Sequence, residues 1–475
     1  MNPSLSLLTD FYQFTMAYAY WKAGLDQYEA VFHLFFRRPP FEGGFTIAAG
    51  LESVIHYIEN FKVEESDLLY LKSLNIFSED FFEYLRNLHL TCTIDAVPEG
   101  TVVFPYEPLL RIQGPLLQCQ LLESPLLNLI NFPTLIATKA ARVCIAAEGD
   151  SVFEFGLRRA QGIDGALTAS RAAYIGGCEA TSNTLAGKLY GIPVRGTHSH
   201  SWVMAFEEEL LSFKAFAHYL PNHCVLLVDT YDSLEGVKKA IQVGKELKEK
   251  GKNLLGIRLD SGDLAYLSIE ARKMLDEAGF YETKIYASNE LDETIISELK
   301  RQGSKISVWG VGTNLVTGKD QKALDGVFKL SAIRNGNEPW RYTLKLSEQM
   351  LKVSNPGILQ VRRFKNETGY IADTIFDEGH PISGDCFLID PLDPTKERVI
   401  SAQMPFLDLL VPIFHKGKKL YIPPSLTDIR EKIKRELKFF PKGIKRFLNP
   451  HQFIVGMEKT IHAQKMQLIK GLRKK

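Results

Sequence analysis

The sequence predicts an α/β protein in which an irregular, incomplete α/β barrel is joined to a smaller α+β domain. Two observations favour this fold. Within 123–325, short apolar or β-branched runs alternate with helix-like segments six times in a row, a pattern typical of a parallel sheet. Within 1–122, helical spacing is followed by short strands that proline and glycine interrupt. A doubly wound open sheet stays the alternative, because periodicity does not show whether a sheet closes on itself.

The length and charge of the chain limit its class. Its 475 residues exceed the roughly 250–300 at which one hydrophobic core stops growing, so we expect several domains. We place them at 1–122, 123–325 and 326–475, the last made of strands and a basic helical tail that pack back on the others. A net charge of +1 offers no uniform field to nucleic acid or a membrane. The basic tail, 429–475, holds 14 basic and 3 acidic residues and is predicted to be a solvated helical face or to lie against the acidic remainder.

The first domain and its exit are predicted from local spacing. A helix is expected within 68–90 and short strands within 91–120. A long helix then begins at Ser124 as its N-cap, with Pro125 at the first helical position.

Charged residues and prolines interrupt the apolar stretch 121–147, so no membrane span is predicted. The start lacks a signal-peptide pattern and the six cysteines form no CxxC pair, so we expect a cytoplasmic protein with reduced thiols.

The barrel region is predicted to contain strands and helices in alternation. The strands are expected at 152–155, 192–195, 225–228, 254–259, 284–287 and 306–308. Three of the helices, at 233–250, 263–278 and 292–302, are each followed by glycine, the residue that favours the position just past a helix end. Beyond them, strands are expected at 328–333, 342–346 and 360–364.

Polar and glycine clusters follow every predicted barrel strand. In α/β folds the functional residues lie where strands end, so these clusters should meet at one edge of the sheet. A solvated loop would be polar as well, which makes a single cluster uninformative. Six clusters on one edge favour an active site.

A glycine-rich strand end is the first candidate. Gly310, Gly312 and Thr313 would let backbone N–H groups approach an anion, which predicts a phosphate cradle. The motif lacks the third glycine of the dinucleotide fingerprint, and the chain contains no Walker loop. A tight turn that needs glycine for positive φ is the alternative.

The Arg258–Asp263 segment is the second candidate. Arg258 and Asp260 should lie on the same side of a strand, while Asp263 begins a helix. The guanidinium could bind a carboxylate or phosphate, and the carboxylates could hold ribose hydroxyls or magnesium. The alternative is an Arg–Asp ion pair with Asp263 as an N-cap.

His198 and His200 form the most specific signal. Small hydroxyl residues surround them, so an imidazole should be accessible. A zinc site of a barrel hydrolase would recruit a third histidine from later strand ends, which supply none. The remaining interpretation is nucleophilic histidine chemistry, in which the ring accepts a phosphoryl group.

These motifs together resemble the nicotinate phosphoribosyltransferase family, and the resemblance covers most of the chain. The matching segments include TDFYQFTM, FRRPPFEGGFTIAAGLE, EFGLRRAQG, GGCEATSNTLAG, GTHSHSWVM, IRLDSGDL, ASNELDE and WGVGTNLVT. The resemblance implies transfer of a phosphoribosyl group from 5-phosphoribosyl-1-pyrophosphate to nicotinate, coupled to hydrolysis of ATP, as a step of NAD salvage. It also implies a small domain packed on an irregular barrel, Mg²⁺ carried by the substrate phosphates with no side-chain metal cluster, and a homodimer that shares its active sites.

The resemblance assigns roles to residues at matching positions. His200 matches the phosphorylated histidine, with Asp260 as its catalytic companion near the ribose. His198 departs from the family, where an apolar or small residue is common at this position. The nicotinate positions are Tyr12, from the neighbouring subunit, Phe155, Arg158, Thr197, Asn183 and Arg258. The phosphoribosyl and phosphate positions are Asp263, Ser288, Asn289, Gly310, Gly312 and Thr313.

Substrate choice depends on Asn183. Related enzymes that use nicotinamide carry Asp at this position, so the amide favours the acid, nicotinate; a helix-capping amide is the alternative. Nicotinamide phosphoribosyl transfer is the nearest alternative function. A metal-dependent barrel hydrolase and a catalytically silent regulatory barrel are more distant ones.

Overall fold

The computed structural model describes residues 4–349, 352–391 and 393–474. They belong to two compact units: one combines Met1–Leu135 with Ala323–Lys475, and the other is Ile136–Lys322. The predicted segments 1–122 and 326–475 thus lie in the same unit, because strands from both pair in one sheet. Lys475, the last residue of the basic tail, lies outside the described residues.

The helices are numbered in chain order. They are α1 Phe11–Lys22, α2 Leu51–Glu59, α3 Glu65–Ser73, α4 Glu79–Arg86, α5 Leu116–Leu121, α6 Glu123–Ala146, α7 Gly162–Ile175, α8 Thr184–Tyr190, α9 His200–Met204, α10 Glu209–Tyr219, α11 Ser233–Glu249, α12 Leu264–Glu277, α13 Glu293–Arg301, α14 Thr313–Val316, α15 Leu426–Phe439 and α16 Lys459–Arg473. Short 3₁₀ helices lie at Pro40–Glu42, Leu157–Arg159 and Lys442–Lys445.

The strands are numbered in the same way. They are β1 Tyr28–Phe36, β2 Thr46–Ile47, β3 Thr93–Ala96, β4 Val102–Val103, β5 Leu110–Pro115, β6 Ser151–Glu154, β7 Ala180–Thr181, β8 Val225–Leu227, β9 Gly256–Leu259, β10 Lys284–Ala287, β11 Val308–Val311, β12 Gly326–Asn335, β13 Arg341–Tyr342, β14 Leu359–Asn366, β15 Gly369–Asp377, β16 Cys386–Ile389, β17 Glu397–Ile400, β18 Phe406–Asp408, β19 Val411–His415, β20 Lys418–Lys419 and β21 Val455–Glu458.

The first unit contains two large sheets. One is antiparallel, in the order β13-β12-β1-β5-β3-β19-β20, and its strands come from both ends of the chain. The other, β17-β16-β21-β15-β14-β18, is mixed, since β15 and β21 run parallel while its other pairs are antiparallel. Apolar side chains of both sheets, among them Phe32, Ile112 and Ile375, lie in one buried cluster.

The second unit is built on a parallel sheet with the order β7-β6-β11-β10-β9-β8. The last of its strands along the chain, β11, pairs with the first, β6. Because all neighbouring strands run in the same direction, their carboxyl ends lie at one edge. The predicted alternation of parallel strands and helices is confirmed, and the fold is mixed α/β.

Several sequence predictions of local structure are wrong, among them the strand at 342–346, of which only Tyr342 lies in a strand, β13. The segment 192–195 is not a strand: only Val194 forms an isolated bridge, to Thr181, because Pro193 lacks the N–H that a continuous ladder needs. The sheet neighbour of β6 is β7 instead. The second half of 91–120 includes helix α5, whose run of Leu, Gln and Cys holds no β-branched residue.

The predicted glycines after three helices are confirmed, whereas the predicted N-cap of α6 is wrong. Gly251, Gly279 and Gly303 follow α11, α12 and α13 closely with φ of 68°, 79° and 81°, the left-handed region that glycine adopts without strain. Helix α6 begins one residue before Ser124, whose hydroxyl donates to Asp10 Oδ2 at 2.6 Å in place of the predicted capping role.

Helix α6 is long and apolar enough to cross a membrane by composition alone. However, 72% of its most apolar window is buried inside the protein, as in the core helix of a globular fold.

The six cysteines are free thiols. In the basic tail, Lys434, Arg435 and Lys438 of α15 are exposed, whereas Lys432 donates to Thr101 Oγ1 at 2.6 Å.

Candidate active site

Arg258 lies in β9, at the carboxyl edge of the parallel sheet, and its side chain is partly buried. Its Nη1 donates to the hydroxyl of Thr197. Its Nε is buried and has no hydrogen-bond partner among the described residues. Burial lowers the pKa of Arg258, while the carboxylates of Asp260 and Asp229 act in the opposite direction. A partly buried guanidinium with a donor that lacks a partner is suited to bind an anionic planar group.

His200 occupies the first position of α9, next to this arginine's strand. Its Nδ1 lies 3.1 Å from the Thr230 hydroxyl and its Nε2 lies 3.6 Å from Asp260 Oδ2. Its side chain is 39% exposed, so a substrate can reach the ring. The fold therefore gives His200 an orienting hydroxyl, a neighbouring carboxylate and an open side, as a nucleophilic imidazole needs.

Asp260 and Asp229 organise the strand ends around this histidine. Asp260 Oδ1 accepts from the hydroxyl of Ser288. Asp229 Oδ2 accepts from the backbone N–H of Asp260 at 2.9 Å and from Ser261 Oγ at 2.6 Å, while its Oδ1 is buried and accepts from no described residue. Asp229 and Thr230 are missing from the predicted site. Their position directly after a strand was the available signal.

His198 has a different environment from His200. Its ring is 8% exposed and packs against Phe216, with ring centroids 4.8 Å apart. Its Nε2 accepts from the backbone N–H of Leu227 at 3.2 Å, in β8 at the end of the sheet. Burial lowers its pKa to about 4, which keeps the ring neutral. Because this nitrogen is already used, the structure does not support a zinc site shared by His198 and His200.

The glycines of the predicted phosphate cradle lie against Phe155. A Cβ at Gly310 would come within 2.7 Å of the Phe155 ring, and one at Gly312 within 3.1 Å of its carbonyl oxygen. Close approach therefore explains both residues, and the alternative of a positive-φ turn does not: Gly312 has φ of −116°. Thr313 begins α14, which spans one turn, and its Oγ1 lies 3.5 Å from Glu290 Oε1.

Asp263, Ser288 and Asn289 complete the predicted phosphoribosyl positions. Asp263 is the N-cap of α12, where its Oδ1 accepts from Tyr266 N at 3.0 Å. The N-cap weighed as its alternative role is thus present. Asn289 is exposed directly after β10 with φ of 112°, a strained conformation for a residue other than glycine.

Asn183 is buried in a polar network that sequence reasoning missed. The side chain caps α8, with Oδ1 accepting from Ala186 N at 3.2 Å, and its Nδ2 donates to Ser170 Oγ at 3.2 Å. Ser170 and Thr181 donate to the buried carboxylate of Glu154 at 2.9 and 2.6 Å. The capping amide weighed as the alternative is therefore present, and contact with nicotinate stays a prediction.

The two remaining predicted residues lie on exposed segments. Arg158 lies in the 3₁₀ helix that follows β6, and its charge contributes to the lowered pKa of Arg258. Tyr12 lies in α1 of the other unit and is 50% exposed. Within the described part of the chain, no group of three or more His, Cys, Asp or Glu side chains could hold a metal ion.

Models of one family match most of the chain. The nicotinate phosphoribosyltransferase N-terminal domain matches 7–131, the nicotinate phosphoribosyltransferase family model matches 151–340, and the C-terminal domain matches 359–465. The chain belongs to the nicotinate phosphoribosyltransferase family. The resemblance inferred from the sequence motifs is confirmed.

Individual relatives agree over nearly the full length. Nicotinate phosphoribosyltransferase of Bacillus subtilis (strain 168) is 43% identical over 473 residues, covering 98% of this chain and 96% of the relative. The Homo sapiens nicotinate phosphoribosyltransferase is 34% identical over 527 residues, covering 98% and 97%. The crystal structure of human nicotinic acid phosphoribosyltransferase matches with a TM-score of 0.85 at 31% identity, covering 97% of this chain and 99% of that one.

Proposed function

We propose that the chain converts nicotinate, 5-phosphoribosyl-1-pyrophosphate, ATP and water to nicotinate mononucleotide, pyrophosphate, ADP and phosphate, as a step of NAD salvage. The observation that carries this proposal is that Arg258, whose Nε donor has no partner among the described residues, lies near the His200–Asp260 pair at one edge of the sheet. Family membership supplies the substrate class.

Arg258 is proposed to bind the carboxylate of nicotinate. A guanidinium whose Nε lacks a partner gains a charge-assisted hydrogen bond from an anion, which a neutral carboxamide would not supply equally. The hydroxyl of Thr197, held by Arg258, and the ring of Phe155 would orient the pyridine ring, with Tyr12 of a neighbouring subunit and Arg158 on its open side. Asn183 caps α8 and would therefore affect substrate choice indirectly, by fixing the position of that helix.

The sugar phosphates are proposed to lie along the ends of β9, β10 and β11. Departure of pyrophosphate leaves positive charge on ribose C1, which the carboxylate of Asp260 can stabilise. Backbone N–H groups at Gly310, Gly312 and Thr313 would hold the 5′-phosphate. Since α14 is a single turn, its dipole adds little to this site. Asp263, Ser288 and Asn289 would orient the remaining hydroxyls and phosphates.

ATP is proposed to use the same polyanion site before the phosphoribosyl donor does. The ring nitrogen of His200 attacks the terminal phosphorus, the bond to the bridging oxygen breaks, and ADP leaves. The phosphohistidine then favours binding of the phosphoribosyl donor, and water later releases phosphate. The Thr230 hydroxyl and the Asp260 carboxylate support this role because they orient the imidazole for attack.

Magnesium is the cation that fits these substrates. Carboxylate oxygens are its preferred protein ligands, and Asp229 Oδ1 is a buried carboxylate oxygen that accepts no hydrogen bond from a described residue. Asp229 and Asp260 would therefore hold the ion together with substrate phosphates, whose charge it would neutralise.

The parallel sheet is proposed to be an incomplete barrel that opens between β7 and β8. The pairing of β11 with β6 supports this, because a barrel joins its first and last strands. We further propose a cytoplasmic homodimer with shared active sites, which the exposed ring of Tyr12 would complete.

The test is a turnover assay with the phosphoribosyl donor, Mg²⁺ and either nicotinate or nicotinamide, with and without ATP. Formation of mononucleotide from nicotinate, stimulated by ATP, is expected. Product from nicotinamide alone would contradict the substrate assignment. Zinc-dependent turnover that a chelator abolishes, or no consumption of the phosphoribosyl donor, would contradict the reaction itself.

A further inference from the structure

A cavity of about 860 Å³ lies in the first unit, between β13 and α16. Its volume falls within the roughly 300–1,000 Å³ of small-molecule sites. All of its lining residues belong to 340–472, so they lie outside the parallel-sheet unit that carries Arg258 and His200. The walls include Trp340, Tyr342, His380, Gln464 and Gly471.

One wall of the cavity is fixed by Asp377, which is 1% exposed. Its Oδ2 accepts from the hydroxyl of Tyr342 at 2.5 Å and from Nδ1 of His380 at 2.8 Å, and its Oδ1 accepts from Ile358 N at 2.9 Å. Burial and this carboxylate raise the pKa of Tyr342, so its hydroxyl stays protonated. The wall is thus rigid, and Nε2 of the half-exposed His380 is available to a ligand.

The opposite wall, on α16, carries an unsatisfied acceptor. Oε1 of Gln464 is buried and has no hydrogen-bond partner among the described residues. A buried acceptor without a partner is unfavourable, so a turn of the Gln464 side chain towards the cavity, where it meets a ligand N–H, would be favoured. Gly471, in the same helix, has no atom within 4 Å of the place its Cβ would occupy, so packing of the protein does not require glycine there.

The rim of the cavity supplies an aromatic ring and a cation. Trp340 lies under the guanidinium of Arg334, 4.3 Å from its ring centroid, and Arg334 is itself paired with Glu29. Arg341 lines the cavity, is exposed, and forms no ion pair with a described residue. The indole of Trp340, positioned by Arg334, and the guanidinium of Arg341 together suit a planar ring that bears an anionic group.

We propose that this cavity is a second, non-catalytic site for a nucleoside monophosphate. The heterocycle packs against Trp340 and Tyr342, its N–H donor bonds to Gln464 Oε1, and its phosphate binds Arg341. Aliphatic anions lack the ring, and neutral aromatic molecules lack the charge, so neither uses all three features. The inference goes beyond the proposed transferase reaction and does not depend on it.

The test is ¹⁹F NMR of the full chain labelled with 5-fluorotryptophan, with AMP as the probe. The chain has four tryptophans, and Trp340→Phe assigns the resonance of interest. We expect AMP to shift the Trp340 resonance in a saturable way, while inorganic phosphate alone and adenosine alone bind more weakly. Absence of a saturable shift, or an equal effect of phosphate alone, would overturn the proposal.

Two variants locate the binding within the cavity. Gln464→Leu should weaken AMP binding about tenfold, since it removes the acceptor. Gly471→Leu should abolish the shift, because its Cβ fits and the rest of the side chain enters the cavity. Gln403→Leu, an exposed glutamine outside the lining, is the matched control and should bind AMP as the wild type does.

The transferase assay separates this proposal from the catalytic one. Gln464→Leu and Gly471→Leu should form nicotinate mononucleotide at the wild-type rate without AMP, which also shows that they fold. AMP binding that is unchanged in both folded variants would contradict the proposed site. If the wild-type chain formed no nicotinate mononucleotide, that result would contradict the catalytic proposal alone.

Discussion

Two arginines, Arg363 in β14 of the first unit and Arg258 in β9 of the second, show how a structural charge differs from a functional one. Arg363 is fully buried. Its Nε and Nη2 donate to Asp373 at 2.9 and 2.6 Å, and its Nη1 donates to Glu436 at 3.0 Å. Burial alone would lower its pKa, but Asp373 and the other carboxylates raise it. All three groups of donors are satisfied within the fold.

Arg258 is only partly satisfied by the protein. It donates to Thr197, its Nε has no partner among the described residues, and burial lowers its pKa. A buried donor without a partner costs free energy, which a hydrogen bond to a bound ligand would restore. The comparison teaches that the unsatisfied charge, not the buried one as such, marks the site.

The largest effect is expected for Arg363→Met. Removing the guanidinium leaves the carboxylates of Asp373 and Glu436 buried without the cation that pairs with them, which should lower the free energy of unfolding by about 3–5 kcal/mol. Urea denaturation followed by circular dichroism measures this. The matched control Arg301→Met, at an exposed guanidinium, should leave the midpoint unchanged. Equal unfolding midpoints for Arg363→Met and Arg301→Met would contradict the structural role assigned to Arg363.

A second effect concerns His198, whose pKa is about 4 in the folded chain against 6.5 ordinarily. Between these values the unfolded chain binds the proton more strongly, so stability present above pH 6.5 is lost as the pH falls towards 4. The loss should amount to about 3 kcal/mol, at 1.36 kcal/mol per pKa unit.

His198→Gln tests this assignment. The glutamine carbonyl can accept from Leu227 N–H but does not titrate, so the loss of stability between pH 7 and pH 5 should shrink by about 2 kcal/mol, the part of the effect that falls in this range. Urea unfolding of both proteins at pH 7 and pH 5 measures the difference. Identical pH dependence would show that His198 is not the neutral acceptor described above.

Arg258→Met should reverse the pattern seen for Arg363. The loss of a charged hydrogen bond to nicotinate should reduce kcat/KM by about 10- to 150-fold, while the unfolding midpoint stays the same or rises. Arg258→Lys should recover little, because an ammonium does not reproduce the planar donors. Steady-state kinetics with varied nicotinate checks this. If the variant lost stability but kept its kcat/KM, Arg258 would have a structural role like that of Arg363 and would not bind nicotinate.

The smallest effect is expected for Thr230→Val. The variant removes the hydroxyl beside His200 Nδ1, so kcat should fall about fivefold, in line with one neutral hydrogen bond, while KM for nicotinate is unchanged. Thr230→Ser should restore kcat. A change confined to KM would argue that Thr230 contacts substrate rather than orienting the imidazole.

Features with a local cause could be predicted from the sequence. The strand at Lys284–Ala287 and the glycines after α11, α12 and α13 depend on neighbouring residues, and they match the structure. Arg258, Thr197, His200 and Asp260 also lie together as predicted, although the segment before Thr197 forms only an isolated bridge to β7 and not the predicted strand.

Features that depend on distant contacts could not be predicted. His198 and His200 have similar sequence neighbours, and contacts to distant residues separate their roles: His198 meets Leu227 N–H and Phe216, whereas His200 meets Thr230 and Asp260. Gly310 owes its identity to the ring of Phe155, which sequence distance conceals. The joining of both chain ends in one antiparallel sheet likewise depends on pairing between β1 and β12.

The most direct test of the central claim is to locate the phosphate that ATP transfers. After incubation with ATP labelled at the terminal phosphate, wild type and His198→Gln should carry acid-labile phosphate on the peptide that contains 196–201, whereas His200→Ala should carry none and should lose ATP stimulation. Label that persists in His200→Ala, or that disappears in a folded His198→Gln, would contradict the account.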